Sequence, residues 1–193
     1  MRAYPVVLLH GIDDTQAKLE RMARHLEQTT GCQTHSFNLI PNHGEAGLDN
    51  LAFQVVNYIE TNIPKGERID LVGFSMGGLV ARYYVQRLRG IDRVRRLVTI
   101  SSPHRGTMTG FLRPNIGARQ MRPNSGFLRD LNRDLKMLDQ CSFTSIWTPL
   151  DLMIIPANSS VLPCGRNIPI PVPGHAWMAT DARVCAAVAE SLR

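Results

Sequence analysis

The feature of this sequence that most restricts its fold is the pentapeptide Gly73-Phe74-Ser75-Met76-Gly77, together with the segments on either side of it. An apolar segment, RIDLVGF at residues 68–74, precedes the serine and has the composition of a buried strand. An amphipathic helix is expected to follow at once, from about Met76 to Arg89, with Gly90 as its C-terminal stop. A strand that passes directly into a helix predicts a parallel β-α unit with Ser75 at a tight, strained turn.

The same alternation of strands and helices runs along the rest of the chain. Further strands are expected at 4–9, 32–39, 94–100 and 143–148, and further helices at 15–29, from Leu48 to just before Pro64, at 127–138, and after Thr180, which should cap the last helix. Residues 101–126 and 156–173 lack a clear period and are expected to be loops, the second with at most a short strand near 168–170. This order predicts the α/β class, with a central, mostly parallel sheet, helices on both faces, and a single domain over residues 1–193.

Composition narrows the class of protein. Apolar residues make up 44% of the chain and charged residues 20%, which is typical of a globular protein with a core of its own. No apolar run approaches the roughly eighteen residues of a membrane span. The first residues, MRAYPVVLLH, pass almost at once into a strand and do not form a secretory signal. We therefore expect a cytoplasmic protein, or a secreted one if this is a mature chain.

The net charge of +6 raises the question of an anionic partner. Between Asp92 and Asp130 there is no acidic residue, and the segment holds eight arginines: Arg93, Arg95, Arg96, Arg105, Arg113, Arg119, Arg122 and Arg129. No nucleic-acid-binding signature accompanies them, so we expect no nucleic-acid partner. They form either a solvated basic face or a region that attracts anionic substrates and lipid interfaces.

Four cysteines, Cys32, Cys141, Cys164 and Cys185, are present without a C-x-x-C pair. No cluster of His, Asp, Glu and Cys has the spacing of a catalytic zinc site, so we expect neither a metal nor a cofactor. Cys185 occupies an apolar helix position and is expected to be a buried thiol. A disulfide between Cys141 and Cys164 is an alternative if the protein is secreted.

Ser75 at a strand-to-helix turn is a candidate nucleophile, and a serine hydroxyl needs a base to take its proton. In this kind of fold the order along the chain is serine, acid, histidine, and only His104 and His175 follow Ser75. His175 precedes the last helix in a Pro-Gly-His loop, and we favour it as the base. His104 directly follows the fourth strand and is expected to order the loop 101–126 through hydrogen bonds.

The orienting acid should follow a strand between the serine and the histidine. The candidates are Asp92, Asp130, Asp134, Asp139 and Asp151. Only Asp151 comes just after a strand, so we favour it as the residue that holds the His175 tautomer. The alternative is that Asp151 is a turn residue that binds its own backbone.

Acyl transfer also requires hydrogen-bond donors for the negative oxygen that develops in the reaction. The backbone N–H of Met76, directly after the serine, is one expected donor. The N–H of Ile12, in the loop His10-Gly11-Ile12 after the first strand, is the second. The side chains of both residues are expected to line the acyl pocket.

Five segments resemble the small, lidless bacterial α/β-hydrolase lipases and esterases of the triacylglycerol lipase type. They are VVLLHGI, LVGFSMGGLVARYY, TISSPHRGT, TSIWTPLDLMIIP and PGHAWMA, and the resemblance runs from about residue 4 to residue 192. It implies a minimal α/β-hydrolase fold without a cap domain, and hydrolysis of carboxylic esters without a metal. Within it, Ser75 matches the nucleophile, Asp151 the acid and His175 the base, and Ile12 and Met76 match the oxyanion donors.

The sequence departs from that family at two places. Asp13 and Asp14 follow the HG loop where some members have glycines, and these acids either disfavour anionic substrates or cap the next helix. The loop 101–126 is longer than a minimal connection and too short for a full cap domain. The expected function is a serine carboxylic-ester hydrolase that acts on a small ester or lipid and associates transiently with lipid interfaces. The alternatives are an acyltransferase or thioesterase with the same triad, and a non-catalytic ligand-binding protein.

Overall fold

A computed structural model describes residues 3–193 and places a six-stranded sheet at the centre of the molecule. The strands are β1 Val6–Leu9, β2 Thr34–Ser36, β3 Ile69–Phe74, β4 Val94–Ile100, β5 Ser142–Trp147 and β6 Arg166–Pro169. Their order across the sheet is β2-β1-β3-β4-β5-β6, and every neighbouring pair is parallel. The predicted α/β class and parallel sheet are confirmed.

Helices cover both faces of this sheet, as predicted. The helices are α1 Glu20–Thr30, α2 Leu48–Asn62, α3 Met76–Arg87, α4 Ile116–Gln120, α5 Gly126–Arg133 and α6 Ala182–Ser191. Successive side chains of a strand point to opposite faces. In β1, Val7 and Leu9 therefore pack with α2 and α3 in one core, whereas Val6 and Leu8 pack with α1 and α6 in the other.

The parallel arrangement brings the functional loops to one place. The carboxyl ends of all six strands meet at the same edge of the sheet, which is where ligands bind in such folds. The loops after β1, β3 and β5 and the segment that leads into α6 lie at this edge. Within residues 3–193, no cap domain covers it, and the longest insertion is the stretch between β4 and β5.

The stretch between β4 and β5 is more ordered than the sequence indicates. The predicted loop 101–126 contains a 3₁₀ turn at Met108–Phe111 and the short helix α4. Asn115 caps α4 by accepting a hydrogen bond from the N–H of Ala118 at 3.0 Å. The signal for α4 is this cap, because five residues are too few to give a helical period.

Three predicted helix boundaries were wrong. The helix expected over 15–29 begins as an α-helix only at Glu20, after a 3₁₀ turn at Gln16–Leu19. The helix expected over 127–138 ends at Arg133, and a 3₁₀ segment follows at Leu135–Gln140. The side-chain amide of Gln86, in α3, donates to the carbonyls of Leu131 and Asp134, at 2.8 and 3.0 Å. These hydrogen bonds replace backbone hydrogen bonds that would continue α5. At the C-terminus, Asp181 rather than Thr180 caps α6, since its carboxylate accepts from the N–H of Arg183 at 2.8 Å.

The strand β2 is shorter than the predicted 32–39, and this edge strand pairs with β1 at three positions only. All four cysteines are free thiols, including Cys141 and Cys164, and Cys185 is buried as expected. None of the helices in residues 3–193 is long and apolar enough to cross a membrane.

Candidate active site

The turn from β3 into α3 has an unusual backbone at Ser75. Its φ and ψ are 53° and −121°, a region that side-chain-bearing residues rarely occupy. The Ser75 N–H donates to the carbonyl of Ile100 at 2.8 Å, and its own carbonyl accepts from Gly78 at 3.1 Å. A Cβ atom at Gly73 would collide with the backbone of α3, and one at Gly77 with the carbonyl of Leu9. The two glycines therefore let the strand and helix approach closely enough to hold this turn.

Asp151 and His175 form a buried pair at the same edge of the sheet. The Asp151 carboxylate accepts a hydrogen bond from His175 Nδ1 at 2.8 Å, and the carboxylate is only 2% exposed. The other oxygen of Asp151 accepts from the N–H groups of Met153 and Ile154, both at 2.9 Å. Burial works to raise the pKa of Asp151, but the hydrogen bond and charge of His175 and these N–H groups outweigh it and lower the pKa. The carboxylate is thus ionised and directed at the imidazole.

His175 lies next to the serine turn. Its ring packs against Phe74, the residue before Ser75, with 5.0 Å between the ring centroids. Because Nδ1 is hydrogen-bonded to Asp151, Nε2 is the ring nitrogen that remains for a second partner. Within residues 3–193, no hydrogen bond joins Ser75 Oγ to this nitrogen. Such bonds are often long in the absence of substrate and tighten when it binds.

The two predicted oxyanion donors have no acceptor of their own. Neither the N–H of Ile12 nor that of Met76 donates to a group in the described part of the chain. The Met76 side chain, however, is fully buried in the core with α2 and does not line the site. A side chain with no exposed surface cannot line an open pocket, so the expectation that Met76 lines the acyl pocket does not hold. Met76 therefore offers the site only its backbone N–H.

His10 orients the Ile12 donor. The buried imidazole accepts the N–H of Leu39 at Nε2, at 3.0 Å, so Nδ1 carries the proton and donates to the carbonyl of Gly11 at 2.8 Å. The Gly11 carbonyl and the Ile12 N–H belong to one trans peptide and point in opposite directions. Because His10 holds the Gly11 carbonyl on its own side of the peptide, the Ile12 N–H points to the opposite side. Burial lowers the pKa of His10, which keeps this arrangement neutral.

A small cavity opens beside Ile12. It has a volume of about 180 Å³, and its wall includes Ile12, Leu112 and Met153 together with Thr107 and Thr109. Thr107 Oγ1 donates to the carbonyl of Met153 at 2.8 Å and accepts the N–H of Ile155 at 2.9 Å, so it fixes the loop that carries Asp151. The wall is apolar in part and also includes the ion pair of Asp13 and Arg113.

His104 lies elsewhere in the molecule. It is fully buried, with Nε2 2.9 Å from the hydroxyl of Thr99 and Nδ1 3.4 Å from the guanidinium of Arg82. Its backbone carbonyl accepts from Asn132 at 2.9 Å. Burial and the charge of Arg82 lower the pKa of His104 well below its ordinary value. His104 is therefore a neutral residue that ties the start of the loop 101–126 to α3 and α5.

The acidic pair after the HG loop does not cap a helix. Asp13 accepts from Arg113 at 2.5 Å and contacts His43 at 2.8 Å, while the N-cap residue of the following turn is Thr15. Arg113 thus brings the arginine-rich loop, residues 101–126, to the edge of the site. No group of three or more His, Cys, Asp or Glu side chains in residues 3–193 is arranged to hold a metal ion.

Comparison with known proteins gives a family. A sequence model of the family described as palmitoyl protein thioesterase matches residues 5–128, well over half of the 193-residue chain. This chain belongs to the palmitoyl protein thioesterase family. The matched residues include the loop with Ile12 and the turn with Ser75, and they end before Asp151 and His175.

Solved structures share the fold of this thioesterase-family chain. The mature lipase BlEst2 of Bacillus licheniformis has a TM-score of 0.79 at 14% identity, over 98% of this chain and 92% of that one. A product of the Listeria innocua gene lin2722 has a TM-score of 0.74 at 16% identity, over 100% and 94%. Lipase B of Aspergillus fumigatus has a TM-score of 0.81 at 17% identity, and the match covers 98% of this chain but only 52% of that lipase. Together with the family match, this makes the chain a hydrolase of the α/β-hydrolase fold.

Several residues that shape the site of this thioesterase-family member give no signal in the sequence. Thr148 donates its hydroxyl proton to the carbonyl of Val172 at 2.7 Å and accepts the N–H of Val172 at 3.2 Å. It thereby ties the end of the Asp151 strand to the segment that leads to His175. A lone threonine after a strand has no distinguishing pattern, and neither does Thr107. The dipeptide His10-Gly11 was a usable signal, although its imidazole role depends on Leu39, which is distant in sequence.

Proposed function

We propose that this protein is a serine carboxylic-ester hydrolase of the lipase or esterase type that works through an acyl-enzyme on Ser75. The observation that carries the proposal is the buried Asp151–His175 pair beside the strained Ser75 turn. A serine held in this backbone conformation next to an imidazole whose other nitrogen is bound to a carboxylate is the arrangement that activates a hydroxyl for attack.

The proposed reaction follows from these groups. His175 Nε2 takes the proton of Ser75 as Oγ attacks the ester carbonyl, and Asp151 stabilises the resulting imidazolium. The N–H groups of Ile12 and Met76 donate to the negative oxygen of the tetrahedral intermediate. His175 then protonates the departing alcohol, which leaves the acyl group on Ser75. Water, deprotonated by His175, releases the acid by the same steps.

A lipid or other ester with an apolar acyl chain is the substrate class we favour. The cavity beside Ile12 accepts part of such a chain, and large apolar side chains surround the site. Those that are exposed after β4, after β5 and before α6 form the apolar rim: Met108, Phe111, Leu112, Ile116, Leu150, Leu152, Met153, Ile155 and Trp177. Exposed apolar residues gathered at one edge are typical of a surface that meets an apolar ligand or interface.

A thioesterase is the second candidate, and the family match favours it. The same triad cleaves an oxygen ester or a thioester, since both pass through an acyl-enzyme. The two candidates separate when an oxygen ester and a thioester of the same fatty acid are compared by kcat/KM. We expect the oxygen ester to be hydrolysed, and a protein that cleaves only the thioester would favour the second candidate.

The main test combines labelling with a substrate series. A fluorophosphonate probe should label the wild-type protein, and Ser75→Ala should abolish both labelling and hydrolysis of p-nitrophenyl esters of increasing chain length. Ser191→Ala, a serine at the end of α6 whose hydroxyl donates to Ala187, is the matched control and should retain both. Labelling that persists in Ser75→Ala, or an active wild type that is never labelled, would refute the assignment.

A further inference from the structure

Asp14 lies in the same small space as the proposed nucleophile. A Cβ atom built on Gly11 would be 3.1 Å from Ser75 Cβ and 3.2 Å from Asp14 Oδ2, so both side chains border the same point at the site. Asp14 is half-buried, only two residues after the proposed oxyanion donor Ile12. A charged group this close acts directly on whatever binds at Ser75.

The Asp14 carboxylate has no partner. Neither of its oxygens accepts a hydrogen bond or forms an ion pair with a group in residues 3–193, whereas the adjacent Asp13 binds Arg113 and His43. Its backbone is held, since the N–H donates to Gly11 at 3.4 Å and the carbonyl accepts from Asn42. A fixed, half-buried carboxylate without a partner is stabilised when a hydrogen-bond donor or a cation reaches it.

The surrounding charges do not neutralise Asp14. The titratable groups that act on it are Lys18, His10, His175 and Asp13. Burial is the largest influence and raises the pKa of Asp14, and the first three groups only partly oppose it. His10 is neutral because its Nε2 accepts from Leu39.

The position of His175 indicates which part of the substrate lies near Asp14. The imidazole gives its proton to the departing group, so that group passes Nε2. The cavity that we assign to the acyl chain is lined by Ile12, Leu112 and Met153, and its wall includes neither Asp14 nor His175. The Phe74 ring packs on His175, and its Cδ1 would lie 3.4 Å from the same Cβ on Gly11 that Asp14 Oδ2 borders. Asp14 is therefore on the side of His175 and of the leaving group.

We propose that Asp14 selects the leaving group of the substrate, favouring cationic leaving groups and neutral ones that donate hydrogen bonds, and disfavouring anionic ones. This inference rests on the proposed ester hydrolysis at Ser75. The physical basis is the electrostatic interaction between the negative charge of Asp14 and the charge of the leaving group, which acts on the bound substrate before any bond is broken. Two unit charges about 6 Å apart, at an effective dielectric constant of about 20 to 40, change a rate constant by roughly 10- to 100-fold.

The test uses three butyrate esters that differ in the charge of the alcohol and little in its size. These are butyrylcholine, 3,3-dimethylbutyl butyrate and the butyrate ester of 3-hydroxypropanesulfonate. Wild-type kcat/KM should fall from the cationic to the neutral to the anionic ester. Asp14→Asn should lower the ratio of the cationic to the anionic ester at least about 10-fold, and change the rate on the neutral ester less than about 3-fold.

Asp92→Asn is the matched control, because it removes the same charge from an exposed residue that pairs with Arg89 at 3.3 Å at the opposite edge of the sheet. This variant should keep the wild-type ratio, and added salt should compress the ratio in wild type more than in Asp14→Asn. Equal ratios in wild type, Asp14→Asn and Asp92→Asn, with all esters hydrolysed, would overturn the role of Asp14 and leave the proposed function intact. A folded protein that hydrolyses none of the esters and is not labelled at Ser75 would overturn both.

Discussion

Asp151→Asn is the substitution that tests the proposed triad most directly, because it keeps the shape of the side chain and changes its hydrogen bonding. In the native protein one oxygen accepts from Met153 and Ile154, and the other accepts from His175 Nδ1 at 2.8 Å. An asparagine has only one oxygen, and two backbone donors already claim it. Its NH₂ group then faces His175 and donates to Nδ1, which puts the imidazole proton on Nε2.

That tautomer cannot take the proton of Ser75. We therefore expect kcat to fall by about 10³- to 10⁴-fold with little change in KM, since the substrate site is untouched. Ser75→Ala and His175→Ala should fall lower still, because they remove the nucleophile and the base themselves. The assay is steady-state hydrolysis of a p-nitrophenyl ester, together with thermal unfolding of each variant. An Asp151→Asn enzyme that folds normally and retains more than a tenth of wild-type kcat would refute this account of Asp151.

The stability of the protein at acid pH should depend on the ionisation of the Asp151 carboxylate. The pKa of Asp151 is lower in the folded protein than its ordinary value of 3.8. Its contribution to stability is therefore present at pH values above that ordinary value, and is lost as the pH falls through the lower, folded pKa. Asp151→Asn should lack this component, so its free energy of unfolding should change less than that of the wild type at acid pH. Identical acid dependence in the two proteins would contradict a lowered pKa of Asp151 in the folded protein.

Three further outcomes are expected. His175→Ala should lose nearly all activity, whereas His104→Ala should mainly lower the melting temperature. A larger loss of ester hydrolysis in His104→Ala than in His175→Ala would show that His175 is not the base. His10→Phe leaves the buried Leu39 N–H without a partner and leaves the Gly11 carbonyl only the long hydrogen bond from the N–H of Asp14, at 3.4 Å. It should cost about 1–3 kcal/mol in the free energy of unfolding and lower kcat more than it raises KM. Finally, hydrolysis should be faster on anionic than on neutral vesicles at low salt, and the difference should shrink as the Debye length falls below about 8–10 Å, because the arginine-rich loop lies beside the apolar rim. Equal rates on both vesicles would reject a basic contact surface.

Much of the fold was predictable because it depends on patterns that are local in sequence. The segment RIDLVGF, the two glycines and the amphipathic helix after them specify the strand, the turn and the strained serine without reference to any distant residue. Alternating strands and helices predict a parallel sheet, since parallel neighbours need a crossover between them. The carboxyl ends of the strands must then meet at one edge, which brings the loops of Ile12, Ser75 and Asp151 together.

Tertiary packing decided what local patterns do not contain. His104 and His175 both follow Ser75 in the order that this fold requires, and the difference between them is their contacts: Arg82 for the first and Asp151 for the second. These partners are 22 and 24 residues apart in sequence. The end of α5 at Arg133 likewise depends on a side chain of α3, 45 to 48 residues away. The sequence alone therefore determined which elements form and where the proposed nucleophile lies. Only the packed structure determined which titratable groups meet, because a hydrogen bond between distant segments depends on how all the intervening elements pack.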